Sequence, residues 1–228
     1  MLCGCWRKQD LRLNPKLSIF DTFKTKNELT GEALRQRAII ARLATESSPS
    51  LRTRTAISQK IAEENGIAWK NIYSGIFHDL DEVLLPLGIA EEAGRLPLKR
   101  GPKALQEVGI PHYRLTQSGL LVALSLKEIV DKRYLLTQFF SMSKSDQEFQ
   151  NTILKLIEIA PRFVFSLFER YTKAYCSGKL ENLLPFNLAN LKKIGDDSLA
   201  VQREILEGFT KLSKLEKEKV LNFVQVIS

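Results

Sequence analysis

Ile61-Ala-Glu-Glu-Asn-Gly-Ile-Ala68, followed at once by Trp69-Lys-Asn-Ile-Tyr-Ser-Gly75, is the stretch whose reading decides the fold. Ala56, Ile57, Ile61 and Ala62 recur at helical spacing ahead of it, which predicts a helix over about Thr55–Asn65. Gly66 ends that helix in the left-handed conformation that a Cβ disfavours, and Ile67 packs back after the turn. A second helix is predicted from Trp69 to about Leu85, because Ile72, Ile76, Leu80, Val83 and Leu84 form one apolar stripe. Pro86 stops or kinks it.

Upstream, Thr30 is a plausible N-cap for a helix over Glu32–Thr45, which Ser47-Ser-Pro-Ser50 then breaks. Residues 1–30 read as an irregular arm, with Leu17, Ile19, Phe20 and Phe23 apolar enough to dock. Downstream, Gly88–Leu96 and Pro111–Leu115 are compatible with two strands of a hairpin, joined by a basic loop containing Pro97-Leu-Lys-Arg-Gly-Pro-Lys103. Thr116 caps a further helix predicted to continue to about Met142. Beyond it the chain reads helical to the end, with capping boxes at Ser145–Glu148 and Ser213–Glu216. Pro161 kinks or opens a helix there, and Phe163–Phe168 reads as a buried helix of a bundle, with an effector pocket or subunit interface as the alternative.

Two segments resemble a known family. Ile61–Ala68 is similar to the "LAxxxGI(S/T)" turn between the core helices of winged helix-turn-helix proteins. Tyr113-Arg-Leu-Thr-Gln-Ser-Gly119 resembles the "Y-x-LT-x-x-G" segment that leads from their last wing strand into the next helix. The second is the more specific, and many regulators with this fold, including MarR-like and PadR-like ones, show it. The resemblance implies a mainly α fold: a winged helix domain with a small β-hairpin wing over residues 31–127, then a C-terminal helical oligomerisation domain over 128–228. It also implies a transcriptional regulator that binds double-stranded DNA, as a homodimer matched to paired half-sites. The helix from Trp69 then enters the major groove, with Trp69, Lys70, Asn71, Tyr73 and Ser74 near the bases. Arg95, Lys99, Arg100 and Lys103 on the wing, and Arg52 and Arg54 before the second helix, are placed to meet phosphates. The helix from Thr116 is the expected dimer seam.

Charge bears on this unevenly. The chain carries +8 overall, with +6 in residues 1–54, −1 in 55–117 and +3 in 118–228. The segment expected to touch DNA is therefore neutral, and Asp79, Asp81 and Glu82 on its third helix must face away from phosphate. This favours a competing reading, a winged helix used for protein–protein contact.

Other classes find less support. The sequence has no Walker A loop, no G-x-S-x-G elbow and no H-E-x-x-H pair, so an enzyme is not expected. Cys3, Cys5 and Cys176 make neither a disulfide framework nor, with His78 and His112, a spaced zinc set, and no cofactor is expected. The longest apolar runs are too short to span a bilayer, and no secretory signal is evident, so a cytoplasmic location is the expectation.

Overall fold

The structure is a computed structural model that describes residues 15–26, 28–66, 69–97, 108–143 and 146–227; of residues 69–71 and 227 only the backbone is described. It is mainly helical, with one two-stranded antiparallel sheet. The chain divides into two units, Met1–Phe186 and Asn187–Ser228.

The first unit opens with a short arm. Leu17 and Ile19 are buried, Ser18 N donates to Gln36 Oε1 at 2.8 Å, and Arg37 Nη1 donates to the Ile19 carbonyl at 3.1 Å. Helix α1 (Gly31–Thr45) starts where Thr30 accepts from Ala33 N, and buries Ala33, Ile39, Ile40 and Leu43. A single 3₁₀ turn, Pro49–Arg52, leads to α2 (Arg54–Glu64), whose N-cap is Thr53. Gly66 follows with φ of +62°, the left-handed turn expected of it.

Helix α3 (Trp69–His78) does not continue as a regular α-helix to Leu85. Residues Asp79–Leu84 widen into a π-helical turn, with Leu85 N donating to the Leu80 carbonyl. The hairpin comprises β1 (Ala90–Leu96) and β2 (Ile110–Leu115), paired from Ala90↔Leu115 to Leu96↔Ile110 with a bulge between Glu92 and Gly94. One isolated antiparallel bridge, Thr53↔His112, ties the entrance of α2 to the same sheet.

Helix α4 (Gln117–Ser125) is the centre of the unit. Every residue from Gly119 to Ser125 is buried, because the segment is apolar and uncharged on all sides. It packs against α1 and β2 on one side, and on the other against α5 (Lys132–Ser141) and α7 (Pro161–Cys176). The expected single helix from Thr116 to Met142 is thus two helices. Continuing α4 would carry Lys127 and Glu128 into that same buried environment. Instead the chain turns out at Leu126, both charged residues stay exposed, and Glu128 takes both Nε and Nη2 of Arg37 at 2.7 and 2.8 Å. Of the span expected as a dimer seam, α4 is enclosed within its own chain, whereas α5 keeps Tyr134 exposed.

The boundary expected near residue 127 falls inside this unit, since α4 and α7 share one core. Between them in sequence, α6 (Gln147–Ile159) is capped by Asp146, which accepts from Glu148 N; the expected cap Ser145 lies outside the described residues. Pro161 opens α7 at its first position. Val164, Leu167, Phe168 and Tyr171 of α7 are buried, so Phe163–Phe168 behaves as a core helix. Phe186 closes the unit, stacked on Phe168 at 4.9 Å and edge-on to Tyr171 at 5.0 Å and Phe139 at 6.0 Å.

The second unit holds α8 (Leu188–Lys193), α9 (Asp197–Lys211) and α10 (Lys214–Ile227). The capping box expected at Ser213 forms, with Ser213 N donating to Glu216 Oε2 at 2.9 Å. Among the described residues, no helix is long and apolar enough to cross a membrane.

The glycine of the Tyr113–Gly119 segment has a packing role. A Cβ at Gly119 would lie 2.0 Å from the Ile89 carbonyl oxygen, a backbone atom that cannot swing aside. Gly119→Ala is expected to cost about 3 kcal/mol or more in urea unfolding. Gly208→Ala on α9, where a Cβ meets nothing within 4 Å, is expected to be neutral or to stabilise by about 0.5 kcal/mol. Equal effects of the two would contradict this packing.

Candidate functional site

The surface of interest is built on α3 and the hairpin. Two arginines from the preceding helices decide its electrostatics by reaching the acids at the end of α3. Arg35 on α1 donates through Nε to Asp79 Oδ2 at 2.7 Å. It crosses α3 at Gly75, where a Cβ would approach Arg35 Nε to 2.8 Å, so the missing side chain is the passage for the guanidinium. Asp79 is fully buried, and its Oδ1 has no hydrogen-bond partner among the described residues. Burial pushes its carboxyl above the usual aspartate range, against the opposing pull of Arg35.

Arg54, the first residue of α2, makes the second clamp. Its Nη2 lies 2.8 Å from Asp81 Oδ1 and its Nε 3.0 Å away. The guanidinium sits 5.5 Å from the Phe77 ring centroid and 5.4 Å from that of Tyr113. One side chain thereby joins α2, α3 and β2. Tyr113 is buried, and burial raises its phenol above the ordinary value.

The residues expected to meet phosphates are therefore not equivalent. Arg54 is committed to Asp81 and two rings. Arg52 donates from Nε and Nη2 to the Glu46 carbonyl, closing the connection between α1 and α2. Arg95 pairs with Glu92 at 2.6 Å, and the neighbouring Arg114 with Glu91 at 2.7 Å. Lys99, Arg100 and Lys103 lie outside the described residues. The Arg95–Glu92 pair is local, but sequence spacing gave no warning of the Arg52 and Arg54 pairings, whose partners lie 6 and 27 residues away.

On α3, Ser74 and His78 are exposed one turn apart, while Tyr73 is half-buried with its ring 4.0 Å from that of Phe77. Trp69, Lys70 and Asn71 form the first turn of α3; their side chains lie outside the described residues. In the hairpin, His112 lies over Gly94, whose Cβ would come within 3.0 Å of His112 Nε2.

The remaining chemistry is quiet. A groove of about 620 Å³ runs along α1, but its arginines are all matched, Arg35 by Asp79, Arg37 by Glu128 and Arg42 by Glu64. Burial pushes the Cys176 thiol up to about 12, so it stays protonated at neutral pH. No group of three His, Cys, Asp or Glu is placed to hold a metal among the described residues.

The Arg35–Asp79 pair makes a pH-dependent expectation. A carboxyl whose pKa is higher folded than unfolded binds its proton more tightly in the fold. Its contribution to stability is therefore greatest in acid and is lost as pH rises through the folded value. Arg35→Ala removes a group that lowers that value and strands the carboxylate, at an expected cost of about 3 kcal/mol near neutrality. That deficit should shrink at about pH 5, whereas Asp79→Asn should remain within about 1.5 kcal/mol of wild type and lose this pH dependence. Urea unfolding at the two pH values measures both, and an Arg35→Ala cost independent of pH contradicts the assignment.

Comparison with known protein families, with curated proteins and with solved structures found no match for this chain.

Proposed function

We propose that residues 31–127 act as a winged helix that binds double-stranded DNA, and that the chain is a transcriptional regulator working as a dimer. The observation that carries this reading is the pairing of two of the three acids that follow α3. Asp79 and Asp81, two of the three acids that stood against an approach to phosphate, are held by Arg35 and Arg54 on the side facing α1 and α2, while the third, Glu82, is exposed. Ser74 and His78 remain exposed on the same helix, one and two turns beyond Lys70 in the sequence. The order α1, α2, α3, β1, β2, α4, the left-handed Gly66 turn and the Thr53↔His112 bridge accord with that fold. In the mechanism, α3 presents its first turns to the major groove. The cations of the hairpin loop, Lys99, Arg100 and Lys103, hold the backbone beside it.

A second reading, contact with another protein through the same surface, is favoured by one observation. Arg52, Arg54 and Arg95 are all engaged within the chain, which leaves few described cations to meet phosphate.

Fluorescence anisotropy with duplex DNA across a salt titration separates the two. DNA binding should fall with a slope of several counterions, and reversal of Lys99, Arg100 and Lys103 to glutamate should abolish it. Arg54→Lys, which keeps the charge but loses the planar fork between two rings, is expected to lower stability more than it lowers the salt slope. No duplex binding at low salt would overturn the DNA reading in favour of the protein-contact one.

A further inference from the structure

We infer that α9 and α10 are the self-association element of this protein, pairing with the same two helices of a second copy to form a four-helix bundle. Not one described residue from Asn187 onward is buried, although α9 and α10 run for 15 and 14 residues. Helices of that length are marginal in water unless an apolar face is covered. Here the faces are large. On α9, Val201, Ile205 and Leu206 are 53%, 59% and 66% exposed; on α10, Leu221, Phe223 and Val226 are 51%, 64% and 85% exposed.

Their arrangement specifies a bundle. At about 100° per residue, the large apolar side chains of α9, Leu199, Val201, Ile205, Leu206 and Phe209, fall within an arc of roughly 160° centred on Phe209 that also includes Gln202, with Arg203, Glu204, Glu207 and Lys211 opposite. The last turns of α10 carry no charge after Lys219 and are apolar over well over half their circumference. A helix of that kind needs neighbours on more than one side, which a bundle supplies and a flat docking surface does not.

Charge and area identify the occupant as a second copy. Residues 197–227 carry five Lys/Arg and five Asp/Glu, interleaved, so two copies meet without net repulsion. An acidic or basic partner would gain nothing from this element by complementarity. The exposed apolar side chains on the two helices also supply area of the order that a stable pair needs, about 800 Å² from each partner. The first half of the seam first expected, Gln117–Ser125, is enclosed within its own chain. The inference stands whatever the α3 face binds.

Sedimentation equilibrium of the full chain without nucleic acid tests it. The expected mass at micromolar concentration is twice the 25.9 kDa of the chain. Leu206→Glu with Leu221→Glu should weaken association about a hundredfold or more, with the main cooperative unfolding transition retained. Asn222→Glu, on the polar arc of α10, should leave the dimer intact. A wild-type monomer at high micromolar concentration overturns the inference, including the case in which these helices fold back on their own chain. A double variant that stays dimeric overturns it equally. A dimer that binds no duplex DNA removes the regulator reading and leaves this one standing.

Discussion

A nine-residue helix that is apolar on every side has to be enclosed, and the first unit is arranged around that requirement. Gln117–Ser125 carries no charge, and its residues from Gly119 on are all buried. Burying a single large apolar side chain is worth about 1.5–3 kcal/mol, so enclosing this helix outweighs most local preferences. The hairpin and α1 form one wall and α7 forms another. The close approach of Gly119 to the Ile89 carbonyl sets how the start of this helix meets the entry to the hairpin.

The same enclosure explains why the chain turns at Leu126. Charged Lys127 and Glu128 follow immediately, and desolvating them would cost more than the helical hydrogen bonds lost at the turn. Lys132, at the start of α5, donates to the Leu124 carbonyl at 3.1 Å and lies 4.9 Å over the Phe165 ring, satisfying one carbonyl at the buried end of α4. Burial lowers its ammonium below the ordinary lysine value. Packing therefore joins what the sequence pattern separates into an N-terminal and a C-terminal domain.

The arginine clamps have a second consequence. Arg35 and Arg54 fix α3 against α1 and α2 through charge that is mostly removed from solvent, so the helix is held in one orientation. Widening into a π turn over Asp79–Leu84 accompanies this: both carboxylates that the arginines hold, Asp79 and Asp81, sit in that turn. Holding Asp81 commits Arg54, one of the expected phosphate contacts; Arg52 and Arg95 are engaged separately, with the Glu46 carbonyl and with Glu92.

Local chemistry was legible from the sequence alone. Thr30 and Thr116 cap the helices they were expected to cap, Gly66 makes the left-handed turn, Ser213–Glu216 closes its box, and the hairpin strands lie close to their expected places. Each depends on neighbours a few residues apart, where spacing alone carries the physics. Partners distant in sequence were not legible. Nothing local shows that Arg54 is spent on Asp81, Phe77 and Tyr113, that Arg35 threads past Gly75, or that α4 is divided from α5 because both sides of it are already covered. Those outcomes are tertiary because a charged or apolar side chain is assigned its partner by which surfaces meet, and that is decided only when the whole core closes.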